Sequence, residues 1–189
     1  MKALPTLGGP RSHAMDINAS NVVVGIAWTA GAQPHAVRWT LNGAGNVTQT
    51  LDLGVLPGAS SSAAYAIGGT GEIVGTSNDR AVRWGAGGGA PTDLNGLIAA
   101  GSGWDLRSAT GVDGAGRIVG TGRHQGRGRG FMLSLRTPTD LNADGVTDGA
   151  DLGLLLAGWG SSDPDLDLDG SGVVDGADLG LLLAAWTPG

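Results

Sequence analysis

Apolar residues fall in short bursts separated by glycine, asparagine and serine. NVVVGIAW (21–28) has the β-branched composition of a buried strand. Its surroundings recur. AMDINASNVVVG (14–25), AYAIGGTGEIVG (64–75) and ATGVDGAGRIVG (109–120) each read as strand, tight turn and a second strand ending in glycine. Asn18–Asn21, Gly68–Gly71 and Asp113–Gly116 supply the positive-φ residues that such turns need. A second piece follows each copy: HAVRW (35–39), RAVRW (80–84) and GFMLS (130–134). A third is LPTLGGP (4–10), LDLGVLPG (51–58) and TDLNGLI (92–98). The pattern predicts three repeats of about four short strands, a spacing typical of propeller blades. It changes after residue 138. DLGLLLAGW (151–159) and DLGLLLAAW (178–186) place leucines at 152, 155 and 156, and at 179, 182 and 183, at helical spacing.

The expected fold is therefore mainly β. A propeller-like array of three four-stranded repeats, too few to close by themselves, precedes a small all-α module. The 37 glycines fit this, because long helices tolerate glycine poorly. Charge sharpens the boundary. Residues 1–138 hold all 11 Lys and Arg against 7 acidic residues, whereas residues 139–189 hold 10 Asp and no Lys, Arg or Glu. Two domains are expected, 1–137 and 138–189, divided near Thr137-Pro138-Thr139. Cysteine is absent, which excludes disulfides and zinc–thiolate sites. No apolar run is long enough for a transmembrane segment, and the start has no signal-peptide core, so the chain reads as the later part of a longer precursor.

The acidic region contains one pattern twice. DLNADGVTDGAD (140–151) and DLDGSGVVDGAD (167–178) are offset by 27 residues at every landmark. A 12-residue calcium loop needs oxygens at positions 1, 3, 5, 7, 9 and 12, with glycine at position 6. The first loop offers Asp140, Asn142, Asp144, the Val146 carbonyl, Asp148 and Asp151 around Gly145. The second offers Asp167, Asp169, Ser171, the Val173 carbonyl, Asp175 and Asp178 around Gly172. Two calcium ions are expected. A register starting at Asp165 would put Gly176 at position 12 and lose the closing carboxylate, so Asp163 and Asp165 are assigned to the linker.

Each loop is followed by a helix and preceded by none, so each is half an EF-hand, and two halves can bury their leucines against each other. This duplicated loop–leucine-helix pattern resembles a type I dockerin over residues 139–187. The resemblance implies docking onto a cohesin-like or other scaffold or surface protein, with the calcium ligands just named. Positions 10 and 11, often Ser-Thr in that family, are Gly149-Ala150 and Gly176-Ala177 here. The first region resembles the HAF-type bacterial extracellular repeat over residues 4–137, through INASNVVVG, HAVRW and DLNGLIAAGSGWDLRSATGVDGAGRIVGTG. It departs from the His-Ala-Phe triplet in carrying Val37 after His35-Ala36, Arg80-Ala81-Val82 in the second copy and Gly130-Phe131 in the third. The resemblance implies an extracellular or cell-surface location.

Other features point to packing rather than chemistry. His13, His35 and His124 have no carboxylate or nucleophile at useful sequence spacing. GRHQGRGRG (122–130) lacks interleaved aromatics and reads as an inter-strand loop, so no nucleic-acid partner is expected. GAGGGA (85–90) has no following Lys-Ser/Thr and is no phosphate loop. Trp28, Trp39, Trp84 and Trp104 read as core between repeats, with sugar stacking as the second reading. Glu72 is the lone glutamate, and no acid–base pair can be nominated, so a non-catalytic protein is expected. The alternatives are a carbohydrate-binding or polysaccharide-degradation accessory protein and a calcium sensor.

Overall fold

A computed structural model describes residues 2–134, 137–142 and 146–187. The chain forms two compact units, dividing between Leu133 and Ser134. The first is mainly β, with three antiparallel sheets, and the second carries two short helices. Among the described residues no helix is long and apolar enough to cross a membrane.

Sheet 1 is a meander of β1 (Gly8–Ile17), β2 (Val22–Thr29), β3 (Pro34–Leu41) and β4 (Val47–Asp52). Sheet 2 repeats it with β5 (Ser62–Ile67), β6 (Ile73–Ser77), β7 (Arg80–Trp84) and the two-residue β8 (Thr92–Asp93). Sheet 3 contains β9 (Trp104–Val112), β10 (Arg117–His124) and β11 (Arg127–Ser134). The expected fourth strand of the third repeat is not found among the described residues. Among the described residues the three sheets do not close into a barrel or ring, and sheets 1 and 3 do not pack on each other as sheets 1 and 2 or 2 and 3 do.

The first hairpin of every repeat turns as its sequence demands. Asn21, Gly71 and Gly116 take φ of +59°, +92° and +74°, and each donates its N–H to the carbonyl three residues back. The basic stretch 122–130 forms no loop. It is the β10–β11 hairpin itself, turning at Gln125-Gly126 with φ of +50° and +77°.

The closing glycines of the repeat have a steric cause. The first strand of each sheet, termed the inner strand, carries a β-bulge at the same place: Met15 in β1, Tyr65 in β5 and Thr110 in β9 are the extra residues. The bulge drives the carbonyl of His13, Ala63 or Ser108 onto the facing strand. A Cβ at Gly25, Gly75 or Gly120 would lie 2.0, 1.9 or 2.1 Å from that oxygen. Only glycine fits there.

The sheets then stack in one repeated way. β5 packs on β1, β2 and β3, and β9 packs on β5, β6 and β7. Val22, Val24, Ala36 and Leu53 of the first repeat meet Ala64, Ile67, Ile73, Val82 and Trp84 of the second. Polar links fix the spacing. Asp16 accepts from the Ile67 N–H at 2.9 Å, Asn18 donates to the Gly68 carbonyl at 3.2 Å, and Thr76 donates to the Arg107 carbonyl at 2.9 Å. Trp39 and Trp84 are fully buried, with their indole N–H groups on the Pro5 and Leu53 carbonyls at 2.9 and 2.8 Å.

Phe131 stands against Gly120, the place that Val37 takes against Gly25 and Val82 against Gly75. The third copy of HAVRW is thus RGFML (129–133), one residue earlier than GFMLS. The third repeat is tied to the second through the Asp93-Leu94-Asn95 segment. Asn95 donates to the Leu106 carbonyl at 2.8 Å and accepts the Leu106 N–H at 2.7 Å, while Leu94 is fully buried.

Two outcomes follow from these contacts. Gly75→Ala should lower the unfolding free energy of the β unit by about 3 kcal/mol, since neither backbone can retreat. Gly87→Ala, with open space around it, should change little in the same thermal melts. Asp93 provides the pH test. Its burial disfavours the charge, but the Asn95 side chain and N–H and the Arg80 guanidinium outweigh that and hold its carboxyl below the ordinary value. A carboxyl more acidic when folded stabilises above its unfolded pKa of about 3.9, and that contribution is lost as pH falls through the folded value. Asp93→Asn should therefore melt lower at neutral pH and flatten the acid limb of the stability curve.

Candidate metal centre

The second unit is built on two copies of one loop–helix. Helices α1 (Gly149–Ala157) and α2 (Gly176–Ala184) each begin with a reciprocal cap. Asp148 and Asp175 accept the N–H of Ala150 and Ala177, both at 2.8 Å. Asp151 and Asp178, at N3, reach back to the N–H of Asp148 and Asp175 at 2.8 and 2.7 Å. Nine-residue helices are too short to persist alone, and these caps satisfy donors that would otherwise be orphaned.

The N3 carboxylates also hold the loops. Asp151 Oδ1 accepts from the N–H groups of Leu141 and Asn142 at 2.7 and 3.0 Å. Asp178 Oδ1 does the same for Leu168 and Asp169 at 2.7 and 3.1 Å. Both aspartates have 0% exposure, so each charge is buried and met by three backbone donors. Both titrate below the ordinary carboxylate value. For Asp151, burial opposes this and the Asp148, Asn142 and Leu141 N–H groups prevail. For Asp178, the Asp175 N–H contributes most, with burial opposing and the Asp169 and Leu168 N–H groups adding to it.

The two repeats pair through a pseudo-twofold. Gly160 donates to the Val174 carbonyl at 2.8 Å, and its 27-residue counterpart Thr187 donates to the Thr147 carbonyl at 3.0 Å. Leu141, Leu155, Val174 and Leu182 form the core between them, with Leu152 and Leu179 partly buried against it. The expected leucine stripe is narrower than its spacing suggests. Leu156 and Leu183 are each 50% exposed, because the segment after each helix turns back onto the opposite loop and leaves that flank open.

In the second loop Asp167, Asp169 and Asp178 each bring a carboxylate oxygen within 4.8 Å of the others. Asp167 is held in place by the N–H groups of Ser171 and Gly172 at 3.1 and 2.7 Å, and Gly172 takes φ of +93° at the turn. Asp169 accepts the Ser171 N–H at 2.9 Å. The Ser171 hydroxyl donates to the Val173 carbonyl at 3.2 Å, which places positions 5 and 7 side by side. Asp175 lies outside the carboxylate cluster and caps α2, so a position-9 contact would run through water. Asp163 closes a separate turn, accepting the Leu166 and Asp167 N–H groups through its carbonyl and that of Asp165 through its carboxylate.

In the first loop Asp140 is buried, Asn142 and Val146 are exposed, and Asp148 and Asp151 match their counterparts. Asp144 and Gly145 lie outside the described residues. A set of carboxylate, hydroxyl and carbonyl oxygens, with no nitrogen or sulfur, is what hard divalent cations take.

The β unit places its candidate residues differently. His35 does have a carboxylate neighbour, contrary to its sequence surroundings: Nδ1 lies 2.9 Å from Asp52, which comes from the adjacent strand. Arg80 and Asp93 form the same pair in the second repeat, so the His35 pair is a cross-strand clamp. His13 packs on Trp28, and His124 stacks on Trp104 at 4.7 Å between ring centroids. Comparison with protein-family models, curated proteins and solved structures finds no match to this chain.

Asp178→Asn leaves one side of the carboxylate position as a donor facing donors. Amide exchange at Leu168, Asp169 and Asp175 in the metal-free chain should then speed up about tenfold, the scale of one lost charge-assisted bond. Asp165→Asn, in a solvent-exposed turn, should leave those amides unchanged.

Proposed function

We propose that this is a non-catalytic extracellular or cell-surface protein that docks through a calcium-loaded, dockerin-like module. The observation that carries this reading is the convergence of Asp167, Asp169 and Asp178, with the last anchored at the start of a helix. A cation there would tie loop to helix, and the 27-residue symmetry extends the same role to Asp140, Asn142, Asp144 and Asp151. Calcium suits it best, since the loops offer only oxygen and a flexible number of ligands. Two ions are proposed, with Val146, Ser171 and Val173 completing the loops and Asp148 and Asp175 acting through water.

The docking part rests on surface chemistry. Leu154, Leu156 and Trp159, and their counterparts Leu181, Leu183 and Trp186, are 38 to 50% exposed. An apolar surface of that kind on a module without basic side chains suits a protein partner rather than nucleic acid. The partner proposed is a cohesin-like scaffold domain. The three sheets form the propeller-like, HAF-type body that the module anchors.

Calorimetric titration of the chelator-stripped full chain should find two calcium ions. Asp167→Ala and Asp178→Ala should each leave one, while Asp165→Ala keeps two. An immobilised cohesin domain should retain the chain in calcium and release it in chelator. Retention indifferent to calcium would overturn the reading.

A further inference from the structure

The junction between successive sheets is made of two unlike halves. One half is the inner strand of the later sheet. In β5 it includes Ala64 and Ile67, which are 0% and 7% exposed, and in β9 Ala109 is fully buried. The other half is the second strand of the earlier sheet, where Val24 and Val74 are both fully buried. Repeat equivalence identifies the same positions at the two ends of the array, and both are open. Ala14 of β1 is exposed, and Ile17 is 57% exposed where Ile67 is buried. Val119 of β10 is 45% exposed where Val24 and Val74 are buried, and Met132 beside it is 69% exposed.

The open half on sheet 1 is otherwise ready for a neighbour. Trp39 has its carbonyl partner, Pro5, supplied by the N-terminal segment, as Trp84 has Leu53. Leu4 and Leu7 of that segment already pack on Val23, Val37 and Trp39. Only the inner part of the junction is missing there, and a groove of about 400 Å³ runs along Ala14, Met15 and Ile17. On sheet 3 the open face alternates cleanly along β10 as Val119, Thr121 and Arg123. Gly128 and Gly130, which share Met132's face of β11, leave room for a strand to approach.

One chain therefore carries both halves of a single heterologous interface, at opposite ends of the stack. We propose that sheet 3 of one copy docks on sheet 1 of a second copy, and the reverse, closing two chains into a ring. That ring has six sheets, three from each chain, within the four to about eight blades over which such arrays close. A heterologous contact used twice around a twofold closes without leaving an edge. The inference rests on the propeller-like reading of the three sheets and is independent of the calcium reading.

Sedimentation of the full chain in chelator tests it apart from calcium. The expected species has twice the chain mass of 18.7 kDa. Val119→Asp and Ile17→Asp should each lose the ring and weaken self-association at least about tenfold, since each removes both junctions. Circular dichroism spectra should match the wild type, because both side chains are exposed, while melts lose only the part that depends on chain concentration. Met132→Lys provides a second variant on the sheet 3 face and should behave as Val119→Asp does. Mixed in equal amounts, Val119→Asp and Ile17→Asp should form a 1:1 pair through the one junction that remains intact. A monomeric wild type would overturn the docking. Open polymers would overturn the curvature and hence the ring. A dimer sensitive to Val119→Asp but indifferent to Ile17→Asp would mean sheet 3 pairs with itself, and the proposal would fail.

Discussion

A backbone carbonyl pressed against a glycine governs the β unit. At Gly25, Gly75 and Gly120 a side chain would occupy the space of the oxygen of His13, Ala63 or Ser108. The close approach exists because each inner strand is bulged, and the bulge adds local twist. Twist at one fixed place per repeat sets how the next sheet can lie on the last. That accounts for β5 and β9 meeting their predecessors through the same three strands. It also accounts for what is left at the ends, since an array built by one repeated operation must finish with one half-junction of each kind.

The acidic unit depends on a different economy of contacts. One aspartate per repeat, Asp151 or Asp178, faces three N–H groups, two from the loop start and one from the helix cap. It couples loop to helix even without an ion. The neighbouring carboxylates Asp167 and Asp169 still repel it at a separation under 4.8 Å. Hydrogen bonds from Ser171 and Gly172 partly offset that repulsion. A divalent cation would reverse its sign, and the fold and the charge pattern would then favour the same state.

Much of this was legible because the chain repeats. Internal comparison marked the glycines and the turns at Asn21, Gly71 and Gly116. Comparison says nothing about why a residue recurs, so the bulges at Met15, Tyr65 and Thr110 were invisible: a bulge residue has no required side chain. The one-residue slip in the third HAVRW copy comes from Phe131 filling the site opposite Gly120 that valine fills in the other two, with Leu133 in place of the marker tryptophan. The leucine stripe is narrower than its spacing predicts for a related reason. Helical spacing groups Leu156 with Leu155, but the covering segment after each helix decides how wide the buried face is. Pairing across strands, as between His35 and Asp52, depends on a separation of 17 residues that no local pattern carries.

That last pair shows how a repeat can guard against a wrong functional reading. A histidine 2.9 Å from a carboxylate invites an acid–base role. The nearby Ser62 hydroxyl would complete the temptation, but it is committed, donating to the Gly54 carbonyl at 2.6 Å and accepting the Ala36 N–H. The second repeat carries the decisive contrast. Arg80 replaces the histidine, Asp93 keeps the carboxylate, and the aspartate in both repeats also accepts the N–H two residues on, from Gly54 or Asn95. Arginine cannot exchange a proton near neutral pH, so what the two repeats share is charge pairing between adjacent strands. The clamp fixes the end of the third strand over the buried Leu53 or Leu94. Those leucines begin the segments that cross to the next sheet, through the Leu53 carbonyl on Trp84 and through Asn95 on Leu106. The histidine is thus better understood as part of the joint between repeats than as part of an active site.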